Sequence, residues 1–504
     1  MIVTTDNAHY RDIAAAIREK AGGTALYKPA EMAAAIRAIQ TGGGSGGGTT
    51  GSVGQKDVNF YDYDGALVAA YTLAEAQALT ALPDGPTHEG LVFQGWNWPL
   101  EKINALTRPM NVGAMYITDD GKTRLHIRIA AEGRMTVPLY ISQTVSNGVT
   151  IDWGDGSATE TLAKTGNVNT THTYANIGDY TITLDPVDGC TLGFGNGTSS
   201  YCVMGSTSNN GKVYCNLLQA VNIGKNVTRI SIYAFEECYS LASIAIPANV
   251  TSIDSNTFYN CCSLASITIP DGVTSIDINT FYNCYSLASI TIPDGVTSIG
   301  GSAFQYCYSL ASITIPDGVT SINDHAFNSC YSLASITIPD GVTRIGNYAF
   351  NNCYSLASIT IQDGVTSIGG SAFQSCYSLA SITIPDGVTS ISDYAFQSCY
   401  SLSSITIPDG VTRIGNRTFR LCYSLASITI PASVTSISDY AFNTCYGMAI
   451  YHLKPTTPPT LSNTNAFSSI PSDCIIYVPA GCLEAYQTAT NWATYASKMQ
   501  EEPA

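Results

Sequence analysis

The residues able to do chemistry are few and scattered. The six histidines are His9, His88, His126, His172, His325 and His452. None stands at metal-ligand spacing from another His or Cys, so no metal site is expected. The sixteen cysteines include no C-x-x-C pair, and Cys261 and Cys262 are merely adjacent. Gly43-Gly44-Ser45-Gly46-Gly47 matches the hydrolase G-x-S-x-G pattern in letters only. It lacks the strand and helix that present such a serine on a sharp turn. Asp271, Asp294, Asp317, Asp340, Asp363, Asp386 and Asp409 recur every 23 residues (Asp340 to Asp363, for instance). That period makes them a ladder of turn residues, whereas acid/base catalysis needs convergent groups. Asp152 and Asp155 leave two readings open, a calcium site or a hairpin turn at Asp155-Gly156. The chain is therefore expected to be non-enzymatic, with no catalytic residue, metal or cofactor.

What must position these residues is a repeat. Cysteines fall at 215, 238, 261, 284, 307, 330, 353, 376, 399, 422 and 445, a step of 23 residues throughout. The stretch C-Y-S-L-A-S-I-T-I-P-D-G-V-T-S-I is identical from Cys284, Cys307 and Cys376. Leu287, Ile290 and Ile292 hold the inward positions of a short strand, and Ser289 and Thr291 point the other way, because successive strand side chains alternate. Pro293-Asp294-Gly295 reads as a turn in which proline fixes φ and glycine frees it. Val296, Ile299, Ala303 and Phe304 return to the core. One coil cannot bury its own faces, so the coils must stack into a solenoid. Stacking brings repeat cysteines roughly 5 Å apart at Cα, a separation a disulfide tolerates. Eleven is an odd count, and free buried thiols are the expectation.

The repeat resembles the BspA-like, bacterial-surface type of leucine-rich repeat, with its L-x-x-I-x-I-P-x-x-V-x-x-I-x-x-x-A-F-x-x-C unit, over about residues 212–482. That resemblance implies adhesion or protein binding rather than catalysis. The expected fold is mainly β: a solenoid of 23-residue coils, preceded by small β domains and an N-terminal helical hairpin. Residues 1–40 read as two helices, with Ile13, Ile17, Met32 and Ile36 on their apolar faces, and resemble N-terminal elements of phage tail and virion proteins. Residues 41–55 are a Gly-rich linker. Residues 56–99 resemble a small β-grasp repeat and end near Gly95-Trp96; residues 100–122 are read as a connector. Residues 123–190 resemble a PKD-like β-sandwich through Trp153-Gly154-Asp155-Gly156-Ser157 and His172-Thr173-Tyr174. Residues 191–230 would form an N-terminal cap and first coil, 231–447 the repeats, and 448–504 a C-terminal cap with a helix from Leu483 to about Met499.

Composition narrows the function. There are 22 basic and 38 acidic side chains, for a net charge of −16. Such a chain lacks the basic stripe that phosphate neutralisation requires, which argues against nucleic acid as a partner. It also argues against docking on anionic lipid. No run of 18 apolar residues exists, so no membrane insertion is expected. The start, Met1-Ile2-Val3-Thr4-Thr5-Asp6, shows no export signal.

Internal copies show where recognition could lie. Most positions barely change between coils, but a trio after the second Ile and a pair after the Phe vary. The candidate binding residues are Tyr306, His325, Asn347, Tyr348, Asp393, Tyr394, Asn416, Arg417, Arg420, Asp439 and Tyr440. Tyr, Asn, Asp, Ser and Gly are the types that make adaptable paratopes, although drift at exposed positions produces the same variation. The Ser/Thr strand face could suit glycans. The Tyr285-to-Tyr423 column is read as core-edge packing. The reading that follows is a phage tail or virion-associated receptor-binding protein. It would engage a host surface protein or glycan through the solenoid, and other virion proteins (or a second copy) through residues 1–40. The alternatives are a bacterial cell-surface adhesin and, further back, a virion glycan hydrolase.

Overall fold

The computed structural model describes residues 56–503, apart from 63–66, 88–90, 97–99, 105, 107–109, 119, 196–200 and 207–211. The helical anchor expected at 1–40 and the linker at 41–55 lie outside the described residues.

The first unit is a mixed sheet of β1 (Val58–Tyr61), β2 (Leu67–Tyr71), β3 (Leu91–Trp96) and β4 (Met110–Thr118), ordered β2-β1-β4-β3. β1 and β4 run parallel at its centre. A short helix at Leu73–Gln77 starts on a capping box, in which Thr72 and Glu75 satisfy each other's backbone N–H groups. Phe60 and Trp96 meet edge to face at 4.9 Å, beside buried Val58, Ile103 and Val112. The stretch 100–122 is therefore no connector: its helix Leu100–Asn104 and strand β4 complete this unit.

The second unit is a sandwich. β5 (Thr123–Ile129), β7 (Val149–Asp152), β8 (Glu160–Thr161) and β10 (Gly178–Pro186) form one sheet; β6 (Thr136–Gln143), β9 (Gly166–Thr173) and β11 (Leu192–Phe194) form the other. Thr-Arg-Leu-His-Ile-Arg-Ile of β5 alternates strictly, and Leu125, Ile127 and Ile129 are buried. The boundary expected at 190 moves, because β11 pairs with β6. A hairpin follows, of β12 (Tyr201–Cys202) and β13 (Gly205–Ser206). Then β14 (Leu218–Asn222) pairs antiparallel with β5 on one side and parallel with Ser243–Ala245, the strand of an early coil, on the other. The sandwich sheet thus runs directly into the solenoid, and one hydrophobic core continues from Leu125 to Met499.

The solenoid has about 12 turns of some 23 residues. Most coils contribute two short parallel strands; the coil after Cys307 contributes Ser321–Ile322 alone. The Ser-Ile-Thr strands pair in register, as Ser335–Ile338 does with Ser358–Ile361. The Ser-Ile or Arg-Ile strands form a nine-stranded ladder ending at Thr460–Leu461. Inside, Phe235 to Phe467 stack ring on ring at 5.2 to 5.6 Å. Each repeat thiol from Cys261 to Cys445, Cys262 apart, donates to a Phe carbonyl of the preceding coil, at 3.2 to 3.3 Å.

The Pro-Asp-Gly turn differs from expectation. Its glycines do not take positive φ; a Cβ on Gly341 would instead stand 2.8 Å from the Asp317 carbonyl oxygen. The left-handed residues lie elsewhere, two per coil, and none of them is glycine. One is the last of the variable trio (Ser302, His325, Tyr348, Ser371, Tyr394, Arg417, Tyr440), and the other precedes the cysteine (Tyr306, Ser329, Asn352). That conformation turns their N–H groups onto the next coil, as Tyr348 N–H does onto the Gly370 carbonyl at 2.9 Å.

The cap continues the strand sheet through Ile450–Leu453, Ile475–Val478 and Met499–Glu501. The long terminal helix expected from Leu483 is broken. A helix spans Leu483–Thr488, Ala489 is extended, Asn491 is left-handed, and a 3-10 segment follows at Trp492–Lys498. The break seats Trp492 in the core, with its Nε1 donating to the Pro459 carbonyl at 2.6 Å.

All sixteen cysteines are free, and only Cys262 and Cys482 are not buried. Burial raises the ladder thiols, Cys399 to about 12 for example. Cys202, Cys215 and Cys238 are buried at the head of the solenoid. We expect a thiol reagent to modify the native protein quickly at Cys482, slowly at Cys262 and negligibly elsewhere. The full complement should react after denaturation without reductant. A large shortfall after denaturation would show disulfides instead.

Candidate functional site

The variable positions separate into two columns with different jobs. In the coils of Asp324, Asn347 and Asp393 the middle residue of the trio faces its neighbour along the stack. Asp324 accepts from the Asn347 N–H at 2.9 Å, Asn347 Oδ1 from the Gly370 N–H at 2.8 Å, and Asp393 from the Asn416 N–H at 2.9 Å. Arg344 and Arg413 reach back to Asp324 and Asp393 at 2.9 and 3.1 Å. Asn347 and Asp393 therefore serve first as coil-to-coil hydrogen-bonding groups, whereas Asn416 takes part through its backbone N–H. Asp439 holds the same place in its coil, and its carbonyl accepts from the Arg417 N–H.

The last residue of each trio builds a surface column. His325 stacks on Tyr348 at 4.7 Å with planes 6° apart, and Tyr348 is 40% exposed. Arg417 lies between Tyr394 and Tyr440, its guanidinium carbon 5.4 and 5.2 Å from the two ring centroids. Its Nη1 donates to the Tyr394 hydroxyl at 2.7 Å. Burial pushes the His325 imidazole below its usual range. Tyr306 stands apart, edge-on to Tyr282 and Tyr308. Arg420 donates from Nε to Asn443 at 3.1 Å. The sequence set all eleven positions aside as variable, but only the structure separates the hydrogen-bonding column from the aromatic and cationic one.

Two repeated columns flank these. Tyr285 to Tyr446 stack face to face at 4.5 to 5.6 Å. The ladder is packed, but it emerges toward its end: Tyr331 is 8% exposed, Tyr423 39% and Tyr446 63%. Because each ring covers its neighbour's face, the ladder offers mainly edges to solvent. The hydroxyl face is divided. β4 lies against β14 and the strands Ser243–Ala245 and Ser266–Thr268, and Ser289 is buried. From Ser335 and Thr337 onward to Ser427 and Thr429 the hydroxyl pairs are exposed.

Among the described residues no group of three His, Cys, Asp or Glu is disposed to hold a metal ion, and no helix is long and apolar enough to cross a membrane. Asp155 is engaged by protein: it accepts from the Ser157 N–H at 3.0 Å and contacts His172 Nε2 at 2.7 Å. His172 in turn stacks on Trp153 at 4.9 Å. Hydrogen bonds from Ser157 and His172 hold the Asp155 carboxyl down at about 2. A depressed carboxyl contributes stability above its unfolded range, near 3.9, and loses that contribution as pH falls through about 2. We expect the sandwich to lose stability between about pH 4 and pH 2, and Asp155→Asn to flatten that limb. Near-ultraviolet dichroism of Trp153 against pH reads it; an unchanged acid limb in the variant would refute the assignment.

The repeat region matches a known family. Residues 209–334 and 320–449 match the BspA type leucine rich repeat region. That part of the chain is a BspA-type leucine-rich repeat. Among solved structures the chain is similar to a leucine rich cell surface protein from Faecalibacterium prausnitzii, 32% identical, over 58% of this chain and 86% of that one, with a TM-score of 0.38. It is similar to a leucine-rich repeat protein from Bacteroides ovatus, 22% identical, over 57% and 95%, with a TM-score of 0.30. It is also similar to the pneumococcal vaccine antigen PcpA, 16% identical, over 56% and 84%, with a TM-score of 0.32. No curated protein matches the chain.

Proposed function

We propose that this chain is a non-enzymatic adhesion protein of a bacterial surface that recognises its target through the side of the solenoid. The observation that carries this reading is the aromatic and cationic column. His325, Tyr348, Tyr394, Arg417 and Tyr440 all occupy left-handed backbone, where Asn or Gly is the comfortable residue. Asn256 and Asn279 show that this column accepts asparagine. Drift at an unconstrained surface does not account for bulky residues that each cost on the order of 1 kcal/mol in that conformation. Rigid Tyr and Arg side chains are the types that dominate binding energy at interfaces. The BspA-type repeat and the similarity to a leucine rich cell surface protein support display at a cell surface rather than in a virion. The phage tail or virion-associated reading rests on the resemblance of residues 1–40, which lie outside the described residues. The PKD-like motifs of the sandwich fit a spacer fused to the head of the solenoid.

The test is localisation. Antibodies against residues 231–447 should label intact cells of the producing bacterium. A signal confined to released particles would overturn the surface-adhesin reading in favour of the virion.

A further inference from the structure

The solenoid is acidic almost everywhere. From Ser231 to Gly447 there is no lysine, and four arginines face fourteen acids. Two of the four, Arg344 and Arg413, pair with an aspartate of the preceding coil. Arg417 and Arg420 have no carboxylate partner among the described residues; their side chains meet Tyr394, Tyr440 and Asn443 instead. They share one turn, where the Arg420 N–H donates to the Arg417 carbonyl at 3.2 Å. Both side chains are half-buried, and Tyr423, three residues beyond Arg420, is 39% exposed. The two tyrosine rings and the Tyr394 hydroxyl hold the Arg417 guanidinium in place, so little rotamer freedom remains to be lost when an acceptor binds.

We propose that the turn bearing Arg417 and Arg420, framed by Tyr394, Tyr440 and Tyr423, binds the carboxylate of an acidic sugar within a surface glycan. This rests on the adhesion reading and names its ligand class. Guanidinium groups match carboxylates in bidentate geometry. Charge selects a saccharide over an acidic protein. A protein interface covers about 800 Å² per partner, so it would spread over Asp393, Asp439 and the turn aspartates. An otherwise neutral glycan brings a single negative charge to the turn of the solenoid whose guanidiniums have no carboxylate partner among the described residues. Tyrosine edges and hydroxyls then meet the ring hydroxyls.

The experiment uses the full chain and calorimetric titration with 3′-sialyllactose, a glucuronic-acid disaccharide, lactose and hexaglutamate. At least one acidic saccharide should bind ten-fold or more tighter than lactose, and high salt should weaken it. Arg417→Asn with Arg420→Gln should remove that preference at an unchanged melting temperature; Asn suits the left-handed backbone at 417. Arg413→Gln should leave binding unchanged, because Arg413 is already paired. Equal binding of lactose, no binding of either acidic saccharide, or full binding by the double variant would overturn the proposal. Arginine-dependent binding of hexaglutamate alone would overturn the saccharide assignment in favour of an acidic peptide. If wild-type protein adheres to cells while these probes fail, the adhesion reading stands and this one falls.

Discussion

Replacing Phe350 with alanine is expected to destabilise the solenoid by about 3 to 5 kcal/mol, the usual range for emptying a buried aromatic site. Phe350 is fully buried and stacked at 5.4 and 5.5 Å on Phe327 and Phe373. The coils above and below are held in register by main-chain pairs, so they cannot collapse into the gap. Tyr354 is a contrast in the same coil. It too stacks on both neighbours, but it is half-exposed, and Tyr354→Ala should cost only about 1 kcal/mol. Because a solenoid couples only nearest neighbours, the loss should appear first as faster hydrogen exchange around residues 327–376. Equal midpoints for the two variants in urea would contradict the assignment of the Phe column as the core.

The second large effect concerns the junction. Val221 is fully buried on β14 and lies opposite Leu125 of the sandwich and Ile244 of the early coil. Val221→Asp places a charge in that core and should cost more than about 4 kcal/mol. It should also divide the molecule. The wild type should unfold with sandwich and early coils together; the variant should show a separate, earlier transition for the sandwich. A single transition shifted as a whole would mean that the sheet does not couple the two.

The solenoid was legible because its pattern is local and repeated. Leu287, Ile290, Ile292, Val296, Ile299 and Phe304 announce their burial by spacing, and all are buried. What was illegible depended on partners distant in sequence. β4 and β14 look like connector and cap until they pair with β1 and β5. The terminal helix pattern carries no warning that Trp492 needs the Pro459 carbonyl. At the site, variation marked the right positions but not their geometry. Left-handed backbone at Tyr348 or Arg417 cannot be read from residues that disfavour it, and an Asp393 aimed along the stack resembles an exposed one until its Asn416 bond is seen.

The most direct measurement levels the column without disturbing the frame. His325, Tyr348, Tyr394, Arg417 and Tyr440 are all replaced by asparagine, the residue already present at Asn256 and Asn279 of the same column. Because asparagine tolerates left-handed backbone, the variant should melt at or above the wild-type temperature. Adhesion of the purified protein to target cells, measured by flow cytometry beside the wild type, should fall at least ten-fold. A variant equally stable and equally adhesive would show that the column takes no part in recognition.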